Sequence, residues 1–407
     1  MLKTLAEGAR ELRSVFRGNI GVMAISWFLF SLTGSLVNPF FAKYAKDLGA
    51  SDYDIAVMRS IGMLAAALSL IVGGFLTDYL GRVKVILIGT GLVAVSQFLY
   101  AVAPDWRFLF AVYVFDLVSH FYQPALTAII MDSLRYGEEF KGFLGLYTVM
   151  AIPGLFMPIV GGVLYDRMNV SGMRLGFTLQ GVVATVVLVL RVKALREVFK
   201  PRNTDLGKLV LELAGYRGVL TRALKLYVFT SILWQISLGV INTYGALYVI
   251  EVLGLSKPFW GMISSTSTLG SVVMSLVLMN RKLDYTSAVL KSALVVSVSM
   301  IFMAVPYYVG NPAVKLGVLL VVSLASSMAS HVLNSSTSAI ITRVLPAEVR
   351  GRATGLQRLL DNVGSSIASM VAAALYLSIG YAESFIVSSV IGVLSCAYFY
   401  VFIARTR

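Results

Sequence analysis

The stretch Gly73-Gly74-Phe75-Leu76-Thr77-Asp78-Tyr79-Leu80-Gly81-Arg82-Val83-Lys84 is a short charged segment that separates two long apolar runs. Asp78 and Arg82 are four residues apart, so their side chains can form an ion pair. Gly74 and Gly81 allow the backbone to turn and two helices to approach each other closely. The stretch therefore predicts a tight, charged hairpin that joins two hydrophobic helices.

The composition of the chain is that of a membrane protein. Of its 407 residues, 58% are hydrophobic and only 13% are charged, and the mean hydropathy is +0.83. A soluble protein is about half apolar and about a quarter charged. The formal net charge of +14 would suggest nucleic-acid binding in a soluble protein, but no base-reading motif accompanies it. We attribute the positive charge to cytoplasmic loops of a protein in a lipid bilayer, and we expect no nucleic-acid partner.

Twelve apolar runs reach the length of about 20 residues that a helix needs to cross the roughly 30 Å core of a bilayer. Six precede and six follow a basic linker, which gives an N-terminal half (1–195), the linker (196–222) and a C-terminal half (223–407). The linker has the periodicity of an amphipathic helix on the membrane surface, and a solvated connector is the alternative. The expected spans are 19–41, 53–77, 83–103, 106–131, 142–165, 174–195, 223–250, 259–280, 286–308, 314–343, 353–379 and 381–404.

Positive charge predicts the orientation of these spans. Most of the 34 Lys and Arg residues fall in segments on one side of the predicted spans, and both chain ends lie on that side. Because basic loops stay in the cytoplasm, we expect a multi-pass protein of the cell membrane with cytoplasmic N- and C-termini.

The sequence contains no motif for catalysis or for a metal centre. It has no G-x-x-x-x-G-K-[ST] phosphate loop, and its two histidines, His120 and His331, are too far apart for an H-E-x-x-H zinc motif. Its single cysteine, Cys396, provides neither a disulfide nor a thiolate metal site. We therefore expect no enzyme activity and no cofactor.

A faint internal repeat relates the two halves. The segment after the fourth span matches the segment after the tenth span at one common offset. The repeat predicts two homologous six-helix halves. The aligned pairs are Glu139 with Glu348, Lys141 with Arg350, and Gly142 with Gly351.

The charged stretch between the second and third spans resembles the loop signature of the major facilitator superfamily, roughly G-x-L-x-D-x-x-G-R. A second resembling run extends over residues 346–353, and the fifth span resembles the proline-glycine signature of the drug–proton antiporter branch. The chain is thus similar to prokaryotic drug-efflux-like transporters. This resemblance implies an all-α membrane fold of twelve transmembrane helices in two pseudo-symmetric six-helix bundles. The matching residues are Gly74, Leu76, Asp78, Gly81 and Arg82 in the loop, and Pro158, Gly161 and Gly162 in the fifth span.

By this resemblance, the first, fourth, seventh and tenth helices line a central cavity for the substrate and the coupling proton. Polar residues are concentrated on these spans, where charge is costly unless it faces a water-filled cavity. Asp116, His120 and Gln123 follow one another at spacings of four and three, so they share one helix face. The candidate cavity residues are Trp27, Asn38, Asp116, His120, Gln123, Trp234, Gln235, Asn242, Tyr244, His331 and Asn334.

Asp116 and His120 form the candidate proton-coupling pair. Histidine titrates near neutral pH, and a neighbouring carboxylate changes its pKa. The alternative is that His120 and His331 each form a hydrogen bond across a helix interface. Arg59, within the second span, either neutralises Asp116 or extends to the membrane surface.

The resemblance also implies an ionic latch on the cytoplasmic side, which forms when the protein is open outward. Asp78 would meet the N-terminus of the eleventh helix, and Arg82 would pair with Asp132 or Glu139. The alternative is that these charges only enforce topology. The candidate latch residues are Gly74, Asp78, Gly81, Arg82, Asp132, Glu139, Glu348, Arg350, Gly351 and Arg352.

These features predict a secondary active transporter that moves a small molecule by alternating access and is driven by a proton gradient. The resemblance implies export by a monomeric protein, and aromatic residues and amides with little net charge favour amphipathic, apolar or weakly cationic compounds. The sequence shows no pair of cavity arginines for a strongly anionic substrate. Uptake or uniport of a sugar or another metabolite is one alternative, and a non-transporting membrane sensor or scaffold is the other.

Overall fold

A computed structural model describes residues 17–134, 139–198, 226, 228–278, 283–344 and 350–404. Within these ranges every regular element is a helix. Ten helices in the described part are long and apolar enough to span a membrane. The fourth and seventh spans are helical as well, but a 3₁₀ turn divides the fourth and π-helical turns flank the seventh. The all-α membrane fold expected from the sequence is therefore confirmed.

Six membrane spans form the N-terminal half. Their bounds lie within a few residues of the apolar runs in the sequence, because the thickness of the bilayer fixes the length of both. In order, the spans are Gly18–Val37 continuing into Phe41–Asp47, Asp52–Leu80, Arg82–Ala101, Trp106–Ser119 continuing into Gln123–Ser133, Glu139–Gly154 followed by Met157–Met168, and Val170–Ala194.

Six further spans form the C-terminal half. Most of the predicted linker, 196–222, lies outside the described residues. The seventh span is Trp234–Leu247, which lies between the π-helical turns Val228–Leu233 and Tyr248–Val252. The other five are Lys257–Leu278, Tyr285–Ala304, Pro312–Val344, Arg350–Ser378 and Tyr381–Phe399.

Prolines interrupt three spans of the N-terminal half. Pro39 lies in a 3₁₀ turn, Asn38–Phe40, within the first span, and Pro124 follows the 3₁₀ turn His120–Tyr122 within the fourth. Pro158 begins the second helix of the fifth span. Proline has no backbone N–H to donate and its ring collides with the preceding turn, so an α-helix does not continue regularly through it.

The two halves share one packing pattern. In the N-terminal half the sixth span packs against the first and third, and the second packs against the fourth. In the C-terminal half the twelfth span packs against the seventh and ninth, and the eighth against the tenth. Between the halves, the second span packs against the eleventh and the fifth against the eighth. Each contact thus has a counterpart six spans later, as two homologous halves require.

We call the membrane side at which the described chain begins and ends the terminal face, and the opposite side the distal face. The two halves meet at the distal face. Lys43 Nζ lies 2.9 Å from Glu251 Oε1, and the Trp260 indole donates a hydrogen bond of 2.6 Å to the carbonyl oxygen of Pro39. Each of these contacts joins one half to the other, so the distal end of the bundle is closed.

Glycines allow the fifth span to approach its neighbours closely. A Cβ on Gly161 would lie 2.0 Å from the carbonyl oxygen of Leu36 on the first span. A Cβ on Gly162 would lie 2.7 Å from the carbonyl oxygen of Lys257 and from Pro258 Cα on the eighth span. Only glycine leaves room for backbones at these distances.

Candidate functional site

A cavity with two adjoining lobes lies between the halves, and Asn38, Arg59 and Thr268 line both lobes. The larger lobe, about 1080 Å³, is here called the charged lobe, and the smaller, about 610 Å³, the serine lobe. The charged lobe contains Arg59, Gln97, Asp116, His120, Gln123, Gln180, Arg191 and Arg358. The serine lobe contains Ser264, Ser267, Ser271, Ser323, Ser326, Ser327 and Ser330.

Most of the candidate cavity residues line one of these lobes. The structure thereby brings together side chains from the first, fourth, seventh and tenth spans. Trp27, Asn38, Asp116, His120 and Gln123 line the charged lobe, and Asn38, Asn242, His331 and Asn334 line the serine lobe. Three candidates on the seventh span, Trp234, Gln235 and Tyr244, are not among the lining residues.

The two aromatic residues among these three point into helix contacts. Trp234 is buried and packs against Phe229 of the π-helical turn that precedes the seventh span, with ring centroids 6.2 Å apart. Tyr244 is fully buried and stacks on Tyr376 of the eleventh span at 4.2 Å. Its hydroxyl donates to the backbone oxygen of Asp52 at 2.8 Å, so it joins the two halves at the distal face. Both residues are thus placed in packing rather than in the cavity.

Asp116 takes part in a hydrogen-bond network that suits two protonation states. Ser96 Oγ lies 2.5 Å from Asp116 Oδ1, and Gln97 Nε2 donates to the same oxygen at 3.1 Å. Ser96 Oγ also lies 2.8 Å from the carbonyl oxygen of Val93. A hydroxyl has a single proton. Ser96 therefore donates either to ionised Asp116 or to Val93, and in the second case a protonated Asp116 donates to Ser96.

The two histidines have different partners. His120 Nδ1 lies 2.7 Å from the backbone oxygen of Asp116, and since a carbonyl only accepts, this nitrogen carries a proton. No described hydrogen bond joins the His120 ring to the Asp116 carboxylate. His331 Nε2 lies 2.9 Å from Ser275 Oγ on the eighth span. His331 thus makes the cross-helix hydrogen bond of the alternative interpretation, whereas His120 bonds within its own span.

Arg191 near the end of the sixth span is a cavity residue that the sequence analysis missed. Only 1% of its surface is exposed. Its Nη1 donates to Thr90 Oγ1 at 2.6 Å, and its Nε lies 3.3 Å from Ser26 Oγ. The guanidinium also lies over the ring of Phe30, 5.5 Å from the centroid. These contacts fix a charged group in the wall of the charged lobe.

A sequence signal for Arg191 existed in the buried stripe of the sixth span. Phe177, Gln180, Ala184 and Val187 recur at helical spacing and are buried, and Arg191 continues the same face by one turn. A cation three residues from the end of a span is also typical of a topology signal, so the sequence alone does not distinguish it from a cavity residue.

The expectation that the cavity lacks a pair of arginines was wrong. Arg59, Arg191 and Arg358 all line the charged lobe, and Asp116 is the only carboxylate among its described lining residues. In the described part of the chain no carboxylate lies within 4 Å of any of the three arginines. The lobe therefore carries an excess of positive charge, where the sequence analysis expected little net charge. Arg59 lines both lobes and forms no described ion pair with Asp116.

Part of the predicted latch is visible at the terminal face. Arg82 forms an ion pair with Asp132, and both residues belong to the N-terminal half. An ion pair within one half does not join the two halves, so the latch itself stays a prediction. For the other latch candidates, either the whole residue or its side chain lies outside the described part of the chain. These residues are Asp78, Glu139, Glu348, Arg350, Gly351 and Arg352.

The charged stretch between the second and third spans is tighter than a hairpin loop. Gly81 alone separates the two helices, and its φ of +88° lies in the region that favours glycine. Gly74 lies inside the second helix, where an added Cβ would meet no atom within 4 Å. A Cβ on Gly73 would instead lie 1.7 Å from the carbonyl oxygen of Phe121. The close helix approach expected at Gly74 therefore belongs to Gly73.

The proline-glycine residues of the fifth span lie at the contact between the halves. The carbonyl oxygen of Pro158 would be 2.3 Å from a Cβ on Gly261 of the eighth span. Gly161 and Gly162 face the first and eighth spans as described above. Gly161 and Gly162 thus shape the closely packed seam beside the cavity, whereas Pro158 also lines the charged lobe.

The chain is similar to bacterial drug-resistance proteins. The family model described as Major Facilitator Superfamily matches residues 23–324 and 261–407. The multidrug resistance protein MdtG of Citrobacter koseri is 25% identical over 409 residues, which cover 96% of each chain. The quinolone resistance protein NorA of Staphylococcus aureus (strain MSSA476) is 23% identical over 241 residues. That match covers 58% of this chain and 60% of NorA.

Solved transporters share the architecture. A POT family transporter in complex with 5-aminolevulinic acid has a TM-score of 0.75 at 15% identity, over 95% of this chain and 96% of that chain. A bacterial homologue of the human lysosomal transporter Spinster has a TM-score of 0.71 at 13% identity, over 95% and 96% of the two chains. At these identities the likeness establishes the fold alone. With family matches across most of its length and a cavity between two six-helix halves, this chain belongs to the Major Facilitator Superfamily and is a multi-span membrane transporter.

Proposed function

We propose that this protein exports amphipathic small molecules in exchange for protons, and that Asp116 is the residue that takes up and releases the proton. Membership of a transporter family and similarity to proteins named for multidrug and quinolone resistance support export. The position of the cavity between two halves supports alternating access, in which the halves expose the cavity to one side of the membrane at a time.

The network around Asp116 is the observation that carries proton coupling. Asp116 is the only carboxylate among the described cavity-lining residues. The Ser96 hydroxyl can donate to ionised Asp116, and it can accept a hydrogen bond from protonated Asp116 while its own hydrogen turns to the carbonyl oxygen of Val93. The Ser96 oxygen stays in place in both states. Gln97 stabilises the ionised form with a further donor. A carboxyl group that has hydrogen-bond partners in both its ionised and its protonated form can change protonation state within the transport cycle.

The terminal face is cytoplasmic in this proposal. The excess of Lys and Arg in the segments on that side supports the assignment, which places both chain ends in the cytoplasm. The distal closure is then the extracellular one. The halves 1–195 and 223–407 rock against each other as a monomer in the lipid bilayer, and the candidate latch closes the cytoplasmic side in the opposite state.

Transport in proteoliposomes tests proton coupling. We expect a lipophilic probe to accumulate only under an imposed proton gradient, and we expect Asp116→Asn to bind the probe but to lose the dependence on the gradient. Asp105→Asn is the matched control, because Asp105 caps the fourth span outside the cavity and asparagine keeps the cap. Equal gradient dependence in wild type and Asp116→Asn would exclude Asp116 as the proton carrier.

Uptake or uniport of a sugar or another metabolite is the second candidate. The hydroxyl groups of the serine lobe favour it, since they suit a polyhydroxylated solute. Equilibration of a sugar across the proteoliposome membrane without a proton gradient would support this alternative and contradict proton-driven export.

A further inference from the structure

The positive charge of Arg191 has no described counter-charge. Burying an unpaired guanidinium is costly, and its neighbours Thr90, Ser26 and Phe30 are all uncharged. No carboxylate in the described ranges lies within 4 Å of it. An anion that enters the charged lobe would supply the missing charge.

The rest of the charged lobe does not compensate for Arg191. Arg59 and Arg358 add their positive charges to the same lobe, and Asp116, the only carboxylate among its described lining residues, offsets at most one of the three arginines. Inside a membrane protein, charges act on each other through a low dielectric, so an excess of one sign strongly selects the sign of a bound solute. This lobe attracts anions and repels cations.

The wall beside Arg191 is aromatic. Phe30 lies under the guanidinium, and the rings of Trp27 and Tyr147 lie 5.8 Å apart. All three residues line the charged lobe. Such rings accommodate a flat apolar group, while the planar fork of arginine binds a carboxylate through two parallel hydrogen bonds.

We propose that the charged lobe binds amphipathic organic anions, with the acid group on Arg191 and an aromatic body against Trp27, Phe30 and Tyr147. The substrate class is therefore aromatic carboxylates rather than the weakly cationic compounds expected from the sequence. The inference rests on the proposed export function, since it names the compounds that this cavity carries.

The test compares three probes that share one naphthalene ring. Isothermal titration calorimetry of the purified full-length protein measures binding of 2-naphthoate, 2-naphthamide and (2-naphthylmethyl)trimethylammonium. We expect 2-naphthoate to bind at least about tenfold more tightly than either other probe, as a charge-assisted bidentate contact requires. Equal binding of the three, or tighter binding of the ammonium compound, would overturn the proposal without any variant having to fold.

Variants locate the contact. Arg191→Gln should abolish the preference for 2-naphthoate over 2-naphthamide, and Arg191→Lys should keep part of it, because the charge remains but the fork is lost. Arg174→Gln is the matched control, since Arg174 lies outside the lobe and donates to the backbone of Ala103 at 2.9 Å. A folded Arg191→Gln protein with an unchanged preference would contradict the assignment of the acid group to Arg191.

Transport separates this inference from the proposed function. If the ammonium probe is exported under a proton gradient and 2-naphthoate does not bind, the export function stands and the anion site is refuted. If 2-naphthoate binds through Arg191 but its movement ignores the gradient, the anion site is supported and proton coupling is refuted.

Discussion

Gly162 offers a direct test of how the distal end of the bundle stays closed. It packs the fifth span against the start of the eighth, and Gly162→Ala would place a Cβ 2.7 Å from Pro258 Cα and from the carbonyl oxygen of Lys257. Ordinary van der Waals contact begins at 3.4 Å, so the two backbones must separate by about 0.7 Å. Backbone atoms cannot rotate aside as a flexible side chain does. The strain therefore falls on the contact between the halves.

The expected size of the effect follows from the cost of overpacking, which is about 1–3 kcal/mol. Separation of the halves relieves the strain, so the closed form loses this free energy relative to a form that is open at the distal face. Since about 1.4 kcal/mol is a factor of ten, the ratio of open to closed molecules should rise roughly 5- to 140-fold.

The assay is double electron–electron resonance between spin labels at Val102 and Gly310, which are exposed at the distal face on different halves. The buried thiol is removed by Cys396→Ser. We expect Gly162→Ala to shift the distances to larger values and Gly317→Ala, whose Cβ would meet no atom within 4 Å, to leave them unchanged. If Gly162→Ala gives the distances of the unsubstituted protein, the seam does not limit distal opening and the reasoning is refuted.

Three further predictions concern single contacts. Lys43→Met removes the ion pair with Glu251 and should weaken distal closure by about 0.5 kcal/mol. The same spin-label distances should therefore increase by less than in Gly162→Ala. Adding Glu251→Gln to Lys43→Met should not change the distances further. Gly81→Ala forces a side chain into a φ of +88° and should lower stability by about 1–2 kcal/mol, measured as a reduced Tm. Ser51→Ala removes the side-chain acceptor for the Asp54 N–H and should cost about 1 kcal/mol, whereas Ser51→Asn should keep most of the Tm.

The spans were predictable because a bilayer imposes one length on every helix that crosses it. The first span shows the limit of this argument, since the apolar run ends near residue 41 and the helix continues to Asp47. Lys43 pairs with Asp47 one turn further on, and Tyr44 between them is fully buried. Charges that pair within a helix allow it to extend beyond the apolar run, and hydropathy alone does not reveal the pairing.

The cavity residues were only partly predictable, because the rotation of each helix depends on its neighbours. Asn242 faces the serine lobe, whereas Tyr244, two residues later, turns towards Tyr376 of the eleventh span. Arg191 was missed for a different reason, since its position near the end of a span is also typical of a topology signal. In both cases the deciding contact is made with a residue far away in the chain.

The proline interruptions set three spans of the N-terminal half apart from the two longest spans of the C-terminal half. Pro39, Pro124 and Pro158 each stand at the start of a helical segment within a span of the N-terminal half, and spans bend most easily where one segment ends and the next begins. The tenth and eleventh spans run unbroken as Pro312–Val344 and Arg350–Ser378. When the cavity changes shape around its cargo, we expect the first, fourth and fifth spans to flex at these points while the tenth and eleventh spans move as stiff rods.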